Sequence, residues 1–284
     1  MPDAATSAAP VLRCGRFTFD LARPHVMGIL NVTPNSFSDG GRYFNLQRAL
    51  AHAQQMVRDG ADIVDIGGES TRPGAEPVPA DQELARVLPL VEALAAMGIA
   101  VSVDTRKPEV MRAAIAAGAV MINDVNALSL PGAIEAIAAT DVGLCIMHMQ
   151  GDPRTMQFEP RYDNVVAEVR DYLVARAEAC VVAGVPRERI VLDPGYGFGK
   201  RLEHNLALVR ALPVLAATGY PVLIGVSRKS SLGEITGRPV DQRLAASLAA
   251  GLAAVARGAR ILRVHDVRET VDALSVWRAV EHAS

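Results

Sequence analysis

Eight short apolar runs recur along the chain, and most of them end abruptly in charged, amide or glycine-rich residues. Helical patterns separate the runs, which occupy residues 26–30, 63–66, 99–103, 119–122, 144–147, 190–192, 222–226 and 261–262. Alternation of apolar runs with helices is typical of parallel strands in an α/β fold. Eight strand–loop–helix units with reactive groups at the strand ends predict a TIM barrel, whose active site lies at the carboxyl ends of its strands.

The length of the chain suits one such barrel, since its 284 residues are close to the ~250 typical of the fold. We therefore predict a single (β/α)8 domain over residues 11–284, after a disordered tail over residues 1–10. Residues 12–20 predict a short hairpin that closes the bottom of the barrel. The helical patterns span 46–59, 81–97 with Asp81 as its cap, 108–117, 131–139, 163–183, 203–212, 241–257 and 266–283. A doubly wound open sheet is the alternative, although it would gather the polar groups near one switch point.

Composition argues against several classes of protein. The formal net charge is −2 and no basic run stands out, so nothing indicates a nucleic-acid partner. No segment reaches the ~18 consecutive apolar residues that a membrane helix needs, and residues 1–10 lack the pattern of a secretory signal. The cysteines, Cys14, Cys145 and Cys180, share no spacing typical of a metal or redox site, which favours a reducing, cytoplasmic location.

Four polar residues at four different strand ends predict a binding site for a flat heterocycle. They are Asp104, Asn123, Asp193 and Lys229. Carboxylate and amide groups can accept and donate hydrogen bonds in the plane of a nitrogen-rich ring, such as a pterin or a purine, and a lysine can donate to its carbonyl group or to a ring nitrogen. The alternative is that the two aspartates cap the helices that follow them, or pair with Arg106 and Arg201. Buried unpaired carboxylates are costly, so two of them together with an amide and a lysine on barrel loops favour the binding site.

A second set of residues predicts an anion site. Arg263 and His265 lie two apart on the last run and so point to one face, near the usual phosphate corner of a barrel. Asn31 ends the first run and becomes their neighbour once the barrel closes, and its amide oxygen suits Mg2+. Together with Arg72, these residues favour a phosphate or pyrophosphate bound with a metal ion. The alternative for Arg263 is a surface salt bridge with Asp266 or Glu269.

Three loops carry further candidate features. Residues 31–45 and 67–80, after the first two strands, are long and rich in glycine and proline, which predicts lids over the site. Residues 195–200 read Gly-Tyr-Gly-Phe-Gly-Lys, which does not match a dinucleotide-binding motif. We interpret this segment as a flexible loop that presents Phe198 to an aromatic ligand, with a plain turn as the alternative. No Ser-His-Asp, Cys-His or zinc-binding arrangement stands out.

The blocks of sequence at these strand ends resemble a known family. They read GILNVTPNSFSDGG, DIGGESTRPGA, SVDTRKPEV, INDVNAL, MHMQGDPRTMQ, LDPGYGFGK, GVSRKSSLG and RVHDV. In order, and from about Met27 to Val267, they are similar to those of the bacterial dihydropteroate synthases. The resemblance implies a (β/α)8 barrel that joins 6-hydroxymethyl-7,8-dihydropterin pyrophosphate to p-aminobenzoate in folate biosynthesis. It also implies Mg2+ as the cofactor, a homodimer, and sulfonamides as inhibitors.

The resemblance further implies roles for individual residues. The pterin pocket would consist of Asp104, Asn123, Met147, Asp193, Phe198 and Lys229. The p-aminobenzoate pocket would consist of Phe37, Thr71, Pro73, Ser230 and Lys229. Pyrophosphate would be bound by Asn31, Arg72, Arg263 and His265, and the metal ion by Asn31 and Asp39. The catalytic groups would be Asp104, Asp193, Lys229 and Arg263.

One position departs from the family's pattern, and two rival functions are weighed against the synthase. Asn35 stands in the first loop where the family most often has Asp, so a carboxylate role there falls to Asp39 alone. A pterin methyltransferase of the same barrel superfamily, using methyltetrahydrofolate, would keep the pterin pocket but would not need the STRPGA and SRKS blocks. A non-catalytic pterin-binding paralogue should have lost loop residues or the anion site, which are present here. The synthase is therefore favoured.

Overall fold

The computed structural model describes residues 11–32, 42–71 and 74–281. Within these ranges a hairpin of β1 (Val11–Cys14) and β2 (Phe17–Asp20) precedes the strands β3 (His25–Asn31), β4 (Ile63–Gly67), β5 (Val101–Asp104), β6 (Met121–Asp124), β7 (Gly143–Met147), β8 (Ile190–Asp193), β9 (Val222–Ile224) and β10 (Ala259–Val264). Strands β3 to β10 pair in parallel and in chain order, and β10 returns to β3 to close the barrel. The predicted TIM barrel and its N-terminal hairpin are therefore confirmed.

Helices follow the barrel strands and cover the outer face of the sheet. They are α1 (Arg42–Arg58), α2 (Ala80–Ala96), α3 (Pro108–Ala116), α4 (Ala133–Ala138), α5 (Val165–Val182), α6 (Leu202–Arg210), α7 (Leu212–Ala216), α8 (Ser230–Thr236), α9 (Leu244–Val255) and α10 (Val267–Glu281), with 3-10 turns at Arg187–Arg189 and Val240–Gln242. Outward residues of the strands pack with the inner faces of the helices in the larger of two apolar clusters. Among the residues described, none of the helices has the length and apolar character needed to cross a membrane.

Local geometry moves several helix boundaries away from the sequence predictions. Helix α2 starts directly after Pro79, so the predicted cap Asp81 lies inside the first turn and caps nothing. Gly132 has a left-handed φ of 82°, which delays the start of α4 beyond the predicted residue 131. The pattern over 241–257 is divided at Arg243 into a 3-10 turn and α9. Pro213 stands near the start of α7, a short helix that the sequence pattern did not predict.

Alternate residues of each strand point into the barrel, and the lower layers of this interior are apolar. The hairpin packs against them in the second apolar cluster, which contains Leu12, Cys14, Phe19, Leu21, Met27, Met121, Cys145, Val191, Leu223 and Ile261. The backbone N–H of Gly15 donates to Asp141 O at 2.9 Å. A Cβ atom at Gly143 would overlap the Sγ atom of Cys14, so the hairpin lies directly against the start of β7. The lower end of the barrel is thus closed, as predicted.

Candidate active site

The carboxyl ends of the barrel strands, here called the upper mouth, bring the sequence-predicted polar residues into one layer. Asn31 pairs in register with Gly67, Gly67 with Asp104, and Asp104 with Asn123, across four adjacent strands. On the far side Met147 pairs in register with Asp193. Alternate residues of a barrel strand point inward, and all of these residues stand at inward-pointing positions. Their side chains therefore converge above the apolar interior.

A buried carboxylate that the sequence analysis missed lies one layer below. Asp65 of β4 is fully buried, and its Oδ2 atom accepts hydrogen bonds from Arg263 Nε at 2.6 Å and from Asn123 Nδ2 at 3.1 Å. Its signal was present in the second apolar run, where Asp65 is two residues from Ile63 and two from Gly67 and so shares their inward parity. Asp65 therefore orients two residues that the sequence analysis had assigned to ligand binding.

Arg263 lies between two carboxylates inside the barrel. Besides Asp65, its Nη2 atom donates to Asp104 Oδ2 at 2.8 Å. The predicted alternative, a surface salt bridge of Arg263 with Asp266, does not occur, because Arg228 donates hydrogen bonds to both carboxylate oxygens of Asp266. Burial works against the cation, but the two carboxylates raise the pKa of Arg263 above its ordinary value, so it stays charged.

Asp104 is itself perturbed by this environment. Burial raises its pKa to about 7, the guanidinium of Arg263 opposes that rise, and the neighbouring charge of Asp65 adds to it. The two predicted alternatives for Asp104 are not observed. Arg106 pairs with Glu69 and not with Asp104, and the residue at the N-cap of α3 is Lys107. Hydrogen-bond donors on a ligand would therefore favour the charged form of Asp104.

Asp193 forms the opposite wall of the upper mouth. Its Oδ1 atom accepts the backbone N–H of Gly195 at 2.7 Å. Burial raises the pKa of Asp193 to about 6, while the Gly195 N–H and the charges of Lys229 and Arg263 hold it down. Lys229 Nζ lies 4.0 Å from the centroid of the Phe198 ring, a cation–π arrangement that puts the predicted lysine and the predicted apolar wall side by side.

The glycine-rich segment 195–199 is held by hydrogen bonds, which corrects the prediction of a flexible loop. The Gly197 N–H donates to Asn205 Oδ1 at 2.7 Å, and Gln157 Nε2 donates to Gly197 O at 2.8 Å. Gly195 has a φ of +68°, and a Cβ atom there would overlap the carbonyl oxygen of His148. The glycines therefore allow two backbones to touch, and Phe198 is presented from a fixed turn.

The loop after β4 is anchored by an ion-pair network that the sequence analysis also missed. Lys107 Nζ donates to Glu69 and to Glu83, at 2.5 Å each, and Arg106 pairs with Glu69 at 3.1 Å. Glu69 also accepts the backbone N–H of Val78 at 2.8 Å, near the far end of the loop. Burial alone would raise the pKa of Glu69, but these partners hold it below its ordinary value. The loop is thereby tied at both ends beside a cleft lined by Thr71, Asp104 and Arg106.

The ends of β9 and β10 are joined by side-chain contacts. Ser227 Oγ lies 3.0 Å from His265 Nδ1 and accepts the His265 backbone N–H at 3.2 Å. The predicted p-aminobenzoate residue Ser230 is exposed as the first residue of α8. Arg263 and His265 therefore share the end of β10 but engage different partners.

Five residues that figure in the sequence predictions lie outside the described ranges. They are Asn35, Phe37, Asp39, Arg72 and Pro73. Their expected roles in the first and second loops stay predictions. Among the described residues, no group of three or more His, Cys, Asp and Glu side chains could hold a metal ion.

Comparison with known proteins decides the family. A family model described as "Pterin binding enzyme" matches residues 27–265. The chain belongs to the pterin-binding enzyme family. It is 54% identical over 280 residues to the dihydropteroate synthase of Neisseria meningitidis serogroup B, covering 96% of this chain and 98% of the relative. The family expected from the sequence blocks is confirmed, and with it the enzyme class, a transferase of the dihydropteroate synthase type.

Solved structures of pterin-binding enzymes agree with the fold and extend the comparison to ligands. The dihydropteroate synthase of Xanthomonas albilineans with 4-aminobenzoic acid superimposes with a TM-score of 0.92 at 53% identity, covering 97% of this chain and 99% of that one. The Burkholderia cenocepacia enzyme, complexed with 7,8-dihydropteroate, gives a TM-score of 0.88 at 55% identity, covering 96% and 97%. The Yersinia pestis enzyme, in a sulfonamide drug complex, gives 0.90 at 48% identity, covering 95% and 99%.

Proposed function

We propose that the upper mouth joins 6-hydroxymethyl-7,8-dihydropterin pyrophosphate to p-aminobenzoate, giving 7,8-dihydropteroate and pyrophosphate. The observation that carries this proposal is the convergence of Asp104, Asn123 and Asp193 with Lys229 above the Asp65–Arg263 pair. Two carboxylates, an amide and an ammonium group match the donors and acceptors around a pterin ring. Relatives and neighbours that carry this activity over nearly the full chain support it.

The pterin ring binds in this proposal between the acidic wall and the segment that presents Phe198. Asp104 and Asp193 accept ring and amino N–H groups, and Asn123, whose amide is oriented by Asp65, supplies a second in-plane contact. Lys229 donates to the ring, and Met147 and Phe198 form the apolar walls. Since both carboxylates have raised pKa values, donors on the pterin favour their charged forms on binding.

The p-aminobenzoate binds above the pterin, between the second loop and the start of α8. Thr71 lines the cleft beside Asp104, and Ser230 is exposed at the opposite rim. Phe37 and Pro73 complete this pocket in the proposal. Sulfonamides, which occupy the Yersinia pestis enzyme, are proposed to compete for the same place.

The leaving pyrophosphate is bound by Arg263, with Arg72 and His265 beside it. The two ion pairs of Arg263 engage Nε and Nη2, and no described residue accepts from Nη1, which leaves that group for an anion. Gly67 leaves room beside Asn31, because a Cβ atom at Gly67 would lie 3.4 Å from Asn31 Oδ1. The amide oxygen of the half-buried Asn31, with Asp39 and phosphate oxygens, fits the way Mg2+ is held. When bound, Mg2+ would neutralise charge on the leaving group.

The reaction breaks the bond between the pterin methylene carbon and the pyrophosphate oxygen and forms a bond from that carbon to the arylamine nitrogen. We propose a dissociative path, in which the electron-rich ring carries positive charge between the two steps. Asp104 and Asp193 stabilise that charge from either side. The arylamine is neutral at pH 7 and needs no base to attack, and its proton passes to solvent afterwards. Positioning of the two substrates then supplies much of the rate enhancement.

The rival functions are a methyltransferase and a non-catalytic pterin-binding paralogue. The match to the Neisseria meningitidis synthase covers 96% of the chain, and the family model spans residues 27–265, which include the loop anchored by Glu69 and the segment at Ser230. These features serve a second substrate, which neither rival needs. We further propose a cytoplasmic homodimer, for which three free cysteines and the exposed apolar residues Leu244, Val276 and Val280 on α9 and α10 are the support.

Pyrophosphate release tests the proposed function most directly. The wild-type protein is incubated with Mg2+ and the pterin pyrophosphate, with and without p-aminobenzoate, and dihydropteroate is quantified by chromatography. Release that matches dihydropteroate formation supports the synthase. Pterin binding without release would indicate the non-catalytic paralogue. Absence of release here, with methyl transfer from methyltetrahydrofolate to a corrinoid protein in a separate assay that supplies both, would indicate the methyltransferase. Asp193→Asn serves as the comparison variant and is expected to lose activity.

A further inference from the structure

The lysines of this chain are distributed unlike its arginines. The sequence contains three lysines, Lys107, Lys200 and Lys229, and all of them follow barrel strands at the upper mouth, after β5, β8 and β9. Lys107 belongs to the ion-pair network of the second loop, and Lys229 belongs to the proposed pterin pocket. Lys200 has neither assignment, although it is the most buried of the three, at 3% exposure.

The ammonium group of Lys200 is bound by neutral acceptors. Its Nζ atom lies 2.9 Å from His148 Nδ1, 3.2 Å from His148 O and 2.9 Å from Phe198 O. No ion pair of Lys200 is found among the described residues, so these three contacts must offset the cost of burying the charge. Burial lowers the pKa of Lys200 to about 7, with Asp193 opposing and Lys229 assisting that shift.

These contacts join the two segments that provide the apolar walls of the pterin pocket. His148 follows Met147 at the end of β7, and Phe198 lies in the glycine-rich turn after β8. The partner ring is itself held in place, since His148 packs edge-on against Tyr172 at 5.1 Å between centroids. Burial and the charge of Lys200 lower the pKa of His148 to about 3, so the ring is neutral and can accept from the ammonium group.

We propose that Lys200 is a positioning residue for the pterin substrate: it ties the Phe198 turn to the end of β7 and places a positive charge beside Asp193. The inference rests on the proposed function, because it takes Phe198, Met147 and Asp193 as pterin contacts. Lys200 does not touch the substrate. Its effect passes through the main chain of Phe198 and through the field at Asp193.

An ammonium group suits this position better than a guanidinium group. Three N–H bonds diverge from one nitrogen and reach three acceptors that surround it. A planar guanidinium, being larger and donating in one plane, cannot meet the same set within a fully packed site. Lys200→Arg is therefore expected to fail as a replacement, although it keeps the charge.

The first test compares Lys200→Met with Arg201→Met, which removes an equal charge from the exposed neighbouring residue. Lys200→Met keeps the apolar stem and removes the three donors. We expect the dissociation constant for 6-hydroxymethylpterin to rise at least tenfold in Lys200→Met, and the KM for p-aminobenzoate to change less than twofold. Arg201→Met should match the wild type in both. Equal pterin affinity in Lys200→Met and the wild type would overturn the proposal.

A pH profile separates positioning from a merely structural role. The charges of Lys229, Arg263 and Lys200 lower the pKa of Asp193, and the carboxylate in turn raises the pKa of the Cys145 thiol. Loss of the Lys200 cation raises the pKa of Asp193, so the acidic limb of pterin binding should move to higher pH in Lys200→Met. If Lys200 had a merely structural role, Lys200→Met would lower the free energy of unfolding and the folded fraction. The molecules that remain folded would then bind the pterin with the same acidic limb in their pH profile as the wild type.

A measurement on the wild-type protein covers the case in which Lys200→Met does not fold. Lysine labelled with 13C at Cε gives three signals, and Lys107→Met and Lys229→Met assign them by elimination. The Lys200 signal should shift on pterin binding and stay unchanged with p-aminobenzoate alone. An unchanged Lys200 signal on pterin binding would refute the proposal. Failure of the wild type to form dihydropteroate would instead refute the proposed function, independently of Lys200.

Discussion

Arg263, whose side chain is half-buried, forms an ion pair with the fully buried Asp65 inside the barrel. They belong to β10 and β4, which are separated by β3, and Arg263 Nε lies 2.6 Å from Asp65 Oδ2. The contact therefore links strands that are not adjacent in the sheet. It also fixes the direction from which the guanidinium reaches Asp104, at the level where the proposed leaving group binds.

Removal of Arg263 should harm both turnover and stability. In Arg263→Ala, Asp65 stays buried without its cation, and breaking a buried pair in this way costs about 3–5 kcal/mol. Loss of the group that binds the leaving pyrophosphate should lower kcat at least about tenfold. Urea denaturation and steady-state kinetics measure the two effects. Arg268→Ala, an exposed change on α10, is the control and should alter neither turnover nor stability. Unchanged turnover in Arg263→Ala would show that Arg263 does not bind the leaving group.

Pterin binding should weaken in mild acid. The pKa values of Asp104 and Asp193 are raised to about 7 and about 6, so both carboxyl groups gain protons as the pH falls through this range. A protonated carboxyl accepts fewer hydrogen bonds, and affinity should fall by up to about tenfold per pH unit for each group that must ionise. Calorimetry with 6-hydroxymethylpterin, which lacks a titrating phosphate, gives the profile. A flat profile between pH 7 and about 5 would show that neither carboxylate binds the ring.

Gly195→Ala and Gly98→Ala separate close packing from backbone strain. Both glycines have left-handed φ angles, of +68° and +75°. A Cβ atom at Gly195 would overlap the His148 carbonyl oxygen, whereas nothing lies within 4 Å of one at Gly98. Gly98→Ala should cost only about 1–2 kcal/mol of unfolding free energy. Gly195→Ala should lower the free energy of unfolding by more than this and should also weaken pterin binding. If urea denaturation gives equal losses of unfolding free energy for the two variants, the close approach of Gly195 to His148 has no role in stability.

The Glu69–Lys107 ion pair should affect the second substrate more than the first. Glu69→Gln keeps an acceptor for the Val78 N–H but removes the charge that holds Lys107 and Arg106. We expect the KM for p-aminobenzoate to rise several-fold, while the dissociation constant for the pterin changes little, because the loop borders the cleft at Thr71. Asp171→Asn breaks an exposed ion pair with Arg170 and serves as the control. Equal effects on both substrates would argue against a loop-specific role.

The fold was predictable because its signal is repeated. Each apolar run ends within a few residues of the observed strand end, and parity alone places Asp104, Asn123 and Asp193 on the inner face. Helix ends were less predictable where one backbone angle decides them. Gly132 and Pro79 shift two starts, and their effect depends on φ values that no periodic pattern carries.

The site was predictable only in part, because its supporting contacts are long-range. Asp65 and Arg263 are 198 positions apart, and Lys200 and His148 are 52 apart, so no local spacing connects them. Asp65 reads as a single polar residue within an apolar run until β10, two strands away in the barrel, supplies its cation. The predicted flexibility of residues 195–199 was wrong for the same reason, since Gln157 and Asn205 hold that turn from elsewhere in the chain.

The placement of all three lysines at the upper mouth gives the protein an unusual chemical handle. Apart from the α-amino group, every primary amine of the chain lies at the end of the barrel where the ligands are proposed to bind. Apart from reaction at the α-amino group, amine-directed reagents, from reductive methylation to succinimide coupling, will therefore report on that end of the barrel. Coupling to a surface through lysine would block the entrance that a binding assay needs to keep open, so immobilisation of this protein calls for a tag at a terminus.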